Sequence, residues 1–275
     1  MSNRLIGRSI ALVVLAALVV SSALVIYFMD TRPRTDDAFL LAYVANIAPE
    51  VSGRIVSVQV RDNQNVRAGD VLFVIVPDPF RFKLEAAKAQ ATVAASTYAR
   101  MEPLLGRGYV TADKLDQARA AKESSLANEG LADYDFRQST VRAPFDGKVV
   151  GLNTANGEYA NTGRPLFTMI DTSRWYVIAN FRETEVNDMK VGTDATVYVM
   201  ADRSRALRGH VDSVGWGVTP EEGQVVNGLP RIPKTLNWVR LAQRFPVRIL
   251  LDHPPDDLMR IGATAVVVVH HGTHR

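Results

Sequence analysis

The chain has 275 residues, 47% of them hydrophobic, enough for two modest folded domains with extensions. Its formal charge is only +3, because 32 Lys and Arg are interleaved with 29 Asp and Glu, and without a basic stripe a polyanionic nucleic-acid partner is not expected. There is no cysteine, which excludes disulfides, thiolate metal sites, a cysteine nucleophile and a lipidated-cysteine anchor.

Any membrane anchor must therefore be peptide. After a short N-terminus, 1–9, residues Ile10 to Met29 read IALVVLAALVVSSALVIYFM without a charge. At about 1.5 Å per residue this run is long enough to cross a hydrocarbon core of roughly 30 Å. Arg4 and Arg8 precede it, so the positive-inside tendency predicts a cytoplasmic N-terminus and an exported body, with Arg32 and Arg34 weakening that assignment. A cleaved signal peptide is the alternative; the run is longer than the usual apolar region of about 7–15 residues, which favours an uncleaved transmembrane helix over 10–29. Residues 30–47 are the lead-in to the body.

Two halves then repeat. Ala48 to Val76 reads APEVSGRIVSVQVRDNQNVRAGDVLFVIV, and Ala143 to Ile170 reads APFDGKVVGLNTANGEYANTGRPLFTMI. Gly53 matches Gly147, Ile55 matches Val149, Gly69 matches Gly163, Leu72 matches Leu166 and Phe73 matches Phe167. Each half alternates apolar and polar residues, breaks at a Gly or Asn turn and resumes in a short apolar run, which predicts a few strands per half and one β-sandwich from both, over 48–76 and 141–170.

Between the halves, 77–140 has a different character. Phe80 to Leu104 is rich in strong helix formers, and Thr111 to Gln138 opens with a plausible N-cap at Thr111 followed by acidic Asp113. Gly106 and Gly108 punctuate the space between them. This predicts an antiparallel helical hairpin whose first arm is about 37 Å long, with Ala87, Ala91, Ala94 and Ala95 permitting close approach of the arms.

The pattern Gly-x-Ile-Val to Val-x-x-Gly-Asp-x-Leu-Phe in the first half resembles half of a biotinyl/lipoyl carrier domain. In that family a tight hairpin between the halves carries the modified lysine; here more than sixty residues stand in its place. A split lipoyl-like domain bearing a helical hairpin behind an N-terminal span resembles the HlyD/EmrA-type membrane fusion proteins, the periplasmic adaptors of tripartite efflux pumps. The sharpest local match is RMEPLLGRGYVTADKLDQA, similar to the hairpin tips that dock on TolC-type outer-membrane channels. Arg100 and Leu104 fit the family spacing, Thr111 stands where serine is usual, and Gly108 lies at the turn. The resemblance implies that Arg100, Leu104, Gly108 and Thr111 contact the channel. The chemistry is compatible: a forked donor, an apolar knob, and a hydroxyl that caps its own helix or donates across an interface.

Beyond Ile170 short strands are predicted at Trp175 to Phe181, Ala195 to Met200, Gly209 to Val214, Phe245 to Leu251 and Ala263 to His270, suggesting a small β-barrel over 171–275. The resemblance adds a short helical turn near Glu183 to Met189 and a membrane-proximal layer in which 35–47 returns beside the C-terminal strands. Thr219 to Leu236, rich in Pro and Gly, reads as a long surface loop. NWVRLAQRFPVRI, which follows it, resembles adaptors of the p-hydroxybenzoic acid efflux type and makes Trp238, Arg240 and Arg244 candidate contacts with a transporter. A tryptophan covering one end of a barrel is the plainer reading of Trp238. His270, His271 and His274 are set aside as metal ligands for want of rigid spacing, and Glu183 with Glu185 as an acid/base pair for want of a nucleophile or pocket.

The expected fold is thus mainly β with an α-helical hairpin: an N-terminal transmembrane helix, a split lipoyl-like β-sandwich, and a C-terminal β-barrel with a membrane-proximal segment. The resemblance implies a non-enzymatic adaptor without cofactor or bound metal, in the inner membrane of a Gram-negative bacterium with its body in the periplasm. Its implied partners are an inner-membrane transporter, of aromatic-acid or proton-driven type, a TolC-type channel, and further copies of itself in a ring, a trimer or hexamer. The cargo would be drugs or aromatic acids. A biotin- or lipoate-dependent carrier and an envelope structural protein without a transport role are the alternatives.

Overall fold

A computed structural model describes residues 14–22, 33–187, 189–218, 225–226, 229–230 and 242–270. The chain divides into two compact units, Tyr43–Ser173, and Met1–Ala42 with Arg174–Arg275. Residues 14–22 are helical (α1) with exposed side chains. No helix among the described residues is long and apolar enough to cross a membrane; 10–13 and 23–29 of the expected span lie outside them.

The unit Tyr43–Ser173 is built on the sequence repeat. The end of β1 (Arg34–Ile47) leads into β2 (Gly53–Val58), β3 (Asn65–Val66) and β4 (Val71–Ile75). The second half supplies β5 (Thr140–Arg142), β6 (Gly147–Val150), β7 (Tyr159–Ala160) and the start of β8 (Phe167–Arg182). Strands β5, β4, β2 and β7 form one sheet in that order, while β6 pairs with both β3 and β8. The halves therefore exchange strands, β2 pairing with β7 and β3 with β6.

The repeated residues have repeated physical jobs. A Cβ on Gly53 would lie 2.6 Å from Ile75 Cγ2, and one on Gly147 would lie 2.3 Å from the Ile170 carbonyl oxygen, so both positions demand close backbone approach. Gly69 and Gly163 both sit at positive φ, +88° and +76°, and donate across the halves, to Ala143 O at 2.8 Å and Pro49 O at 2.9 Å. Phe73 and Phe167, equivalent in the repeat, meet edge to face with centroids 6.0 Å apart. Around them Ile55, Leu72, Ile75, Val149 and Met169 complete the core.

The helices leave this sandwich between two paired strands. Helix α2 (Asp78–Leu105) follows β4, and α3 (Ala112–Gln138) returns to β5. Phe73 lies opposite Val141 and Val74 opposite Thr140, so the two arms are rooted side by side.

In the other unit, β1 pairs with β14 (Thr264–Val269), which pairs with β9 (Asp194–Val199). Next come β10 (Ala206–Val214), β13 (Arg244–Leu251) and the later part of β8. The Thr35 hydroxyl on β1 donates to the Asn180 carbonyl on β8 at 2.8 Å, bringing first and last strands together in a six-stranded barrel. Inward residues alternate along each strand, as Ala195, Val197 and Val199 on β9 and Val247, Ile249 and Leu251 on β13. Residues 34–39 of the lead-in therefore lie beside the C-terminal strand β14, as expected, but as part of a barrel strand and not as a separate layer. A second departure is β8: strands were expected to end at Ile170 and restart at Trp175, yet 16 residues run through without a break, because Asp171–Arg174 carry no turn-forming Gly or Pro. A four-residue helix α4 (Glu183–Val186) follows. Inside the expected loop 219–236, β11 (Val225–Val226) pairs with β12 (Leu229–Pro230); the rest of that loop lies outside the described residues.

Candidate functional site

The hairpin arms meet along a seam of small side chains. One row of buried and half-buried positions on α2 runs Leu84, Ala87, Ala91, Ala94, Tyr98 and Met101; the matching row on α3 runs Leu115, Ala118, Lys122, Ser125, Glu129, Ala132 and Phe136. Spacings alternate three and four, the heptad rhythm of a coiled coil. Alanine and serine in the middle let the backbones approach, at the cost of apolar area. The arms, 28 and 27 residues, are about 42 and 40 Å long.

The tip is closed by local hydrogen bonding. Pro103 falls in the last turn of α2, where it cannot donate back to the Ala99 carbonyl, and the helix ends two residues later. Gly108 N donates to Leu105 O at 3.0 Å, and Tyr109 N to Leu104 O at 3.1 Å. Gly108 has φ +72° with open space around it, so glycine is needed there for its conformation and not for room. Thr111, extended at φ −80° and ψ 155°, is the N-cap of α3: its side-chain oxygen accepts from Lys114 N at 3.4 Å. Asp113 adds an acidic group to the first turn.

Arg100, Gly108 and Thr111 are exposed, and Leu104 is half-buried. One Arg100 nitrogen donates to Thr97 Oγ1 at 3.2 Å, a neighbour on its own helix. The four residues span the last turns of α2, the turn, and the cap of α3. Tyr109, 78% exposed, stands beside them.

Two polar ties were not legible in the sequence. Near the tip, Tyr98 on α2 donates to Glu102 Oε1 at 2.9 Å and accepts from Arg119 on α3 at 3.4 Å, while the Lys122 ammonium lies 4.8 Å from its ring centroid. The hydrogen bond to Tyr98 raises the Arg119 guanidinium above its ordinary value, with the charge of that same ring hydroxyl and of Asp116 and Glu123 adding to it. At the root, the Glu50 carboxylate accepts from the Tyr134 hydroxyl and, at 2.8 Å, from the Gln138 amide. A cavity of about 950 Å³, lined by Ile47, Glu50, Pro77, Phe136 and Arg142 among others, opens beside this tie. Heptad spacing through Tyr98 was the signal that would have found the first tie; nothing local announces the second.

Of the candidate transporter contacts, Trp238 and Arg240 lie outside the described residues. Arg244 opens β13 and is ion-paired with Asp37 at 2.9 Å. His270 shares a 2.8 Å hydrogen bond with Thr196, and His271 and His274 lie outside the described residues. Among the described residues no group of three or more His, Asp or Glu could hold a metal ion.

Comparison with known proteins divides the chain at the same place as its fold. Residues 43–172 match the model of the barrel-sandwich hybrid domain of RND membrane fusion proteins, and residues 174–270 that of the AAEA-like beta-barrel domain. The multidrug resistance protein MdtN of Escherichia coli is 38% identical, the match covering 93% of this chain and 94% of that protein. Among solved structures, a MacA–MexA chimera containing the Pseudomonas aeruginosa MexA α-hairpin superposes with a TM-score of 0.70 at 20% identity, over 89% of this chain and 83% of that one. The membrane fusion protein Spr0693 of Streptococcus pneumoniae R6 superposes at 0.62 and 13% identity, over 88% and 99%. Both share the fold.

Proposed function

The chain belongs to the membrane fusion protein family, and from that premise we propose that it is the adaptor of a tripartite efflux pump, joining an inner-membrane exporter to a TolC-type outer-membrane channel. Residues 10–29 anchor it in the inner membrane and the body stands in the periplasm. Copies assemble in a ring, a trimer or hexamer. The barrel faces the transporter, with Trp238, Arg240 and Arg244 as contacts, and the hairpin tip meets the channel through Arg100, Leu104, Gly108 and Thr111. The adaptor catalyses nothing and holds no cofactor; energy comes from the transporter. The relatives' description as multidrug resistance proteins supports drugs as cargo, and the resemblance of 237–249 to p-hydroxybenzoic acid adaptors supports aromatic carboxylates as a second class.

The observation that carries this reading is the hairpin rooted between β4 and β5, where a carrier domain would present its modified lysine. Its tip holds a forked donor on α2, an apolar side chain about one helical turn further on, and a hydroxyl that caps α3. A lipoate or biotin carrier needs a lysine on a tight turn at that place, and the helices occupy it.

Arg100→Glu and Leu104→Glu are each expected to abolish efflux in a strain dependent on this pump while folding and co-purification with the transporter persist; normal efflux would reject the tip assignment. Cysteine at Gly108 is expected to crosslink to the channel in intact cells.

A further inference from the structure

The end of the barrel at which the chain enters carries two exposed apolar side chains that the adaptor reading does not use. Val269 N donates to Pro33 O at 3.0 Å, and Arg34 lies opposite Val268, so entry and exit of the barrel chain share this end. Gly215 N donates to Pro246 O at 2.8 Å, Pro246 lies opposite Asn180, and the Asn180 carbonyl accepts from Thr35. Trp216 therefore stands one residue beyond a row of strand ends that includes Thr35. A Cβ on Gly215 would lie 2.8 Å from Pro246; the backbone hugs β13 there, and the next side chain is thrown outward. Trp216 is 100% exposed. On the same end, His270 N donates to Asp194 O at 2.9 Å, and the turn just before Asp194 presents Val191, 71% exposed, beside Gly192 at φ +87°.

We propose that this end of the barrel rests on the lipid headgroup layer of the membrane, with Trp216 and Val191 inserted into it. The inference depends on reading residues 10–29 as a membrane span. Only three residues, 30–32, separate that span from Pro33. At about 3.5 Å per residue a fully extended connection holds Pro33 within roughly 14 Å of the hydrocarbon boundary, and the headgroup layer fills about 5–8 Å of that. An indole in water is out of place; one whose apolar body and N–H can both be satisfied at headgroup level is not. Charge does not drive the contact. Arg34, Arg182, Lys190 and Arg244 share this end with Asp36, Asp37, Glu183, Glu185 and Asp194, and Arg244 is already paired with Asp37. Docking is therefore insensitive to anionic lipid and to salt, unlike that of a polybasic surface.

The test is tryptophan fluorescence of the full-length protein reconstituted alone into phosphatidylcholine vesicles whose acyl chains are brominated near the headgroup. Trp175 and Trp238 are common to the wild type and Trp216→Phe, so their difference isolates Trp216. The expected result is a bromine-quenched component that Trp216→Phe removes and that high salt or added phosphatidylglycerol leaves unchanged. A Trp216 component quenched only by water-soluble iodide overturns the inference. Shielding that arises only when the inner-membrane transporter is co-reconstituted also overturns it, in favour of a protein contact. Release of the chain by alkaline carbonate overturns the span reading and this inference together, whereas a retained chain with a water-exposed Trp216 overturns this inference alone.

Discussion

In the sandwich, Leu72, Phe73, Ile75, Val149 and Met169 are essentially inaccessible to water, and large side chains from both halves of the repeat fill one core. The hairpin that grows from it buries Leu84, Ala91 and Ala94 on one arm and Leu115 and Ser125 on the other. Apolar burial contributes about 25 cal/mol per Å², so the sandwich draws its stability from area, and the hairpin must draw more of its own from helix propensity, caps and cross-arm ties. The arms are thus the part of this unit most open to surface change. On the proposed docking role, the tip can vary to fit its partner without endangering the core that holds it.

The comparison breaks first if the core is less important than its packing suggests. Phe73→Ala should remove roughly 3–5 kcal/mol of stability, read as a lowered midpoint in urea unfolding, because it also strips Phe167 of its edge-to-face partner. Ala94→Leu tests the opposite economy. Adding three carbons to a close seam should cost about 1–3 kcal/mol, with the loss confined to helical circular dichroism at 222 nm and the sandwich left folded.

Smaller effects test the tip. Thr111→Ala should cost about 1 kcal/mol through loss of the cap and speed hydrogen exchange in the first turn of α3, while Thr111→Ser should restore protection; equal exchange in all three proteins would mean the cap is idle. Tyr98→Phe should raise exchange on both arms near residues 98 and 119 with no change in the sandwich. The Arg119 pKa is raised in the folded state, so its contribution is complete below the unfolded value and is lost only as pH rises through the folded one. Exchange protection at that tie, corrected for intrinsic rates, should accordingly be flat from about pH 5 to pH 9.

The residue pairs of the repeat were readable because they answer to local constraints that leave a mark in sequence. Gly69 and Gly163 are glycine for their positive φ, and Gly53 and Gly147 for the backbone or side chain that a Cβ would strike. Thr111 could be read as a cap for the same reason: the bond it makes is three residues away. The boundary at Ile170 was not readable, since an extended chain with alternating burial looks the same whether one strand passes through or two strands abut. The pairing of β1 with β14 joins residues more than 220 positions apart, and periodicity within either segment says nothing of its partner.

By itself, then, the sequence determined the repeat, the two helices and the turn between them, since those depend on the conformational preferences of neighbouring residues. Tertiary structure decided which strands the halves exchange, that the lead-in closes the barrel, that Tyr98 and Arg119 tie the arms together, and that Trp216 stands at the end where the chain enters. Each of those is a contact between residues far apart in sequence, and only the packed chain, by burying some side chains and leaving others in water, brings them together.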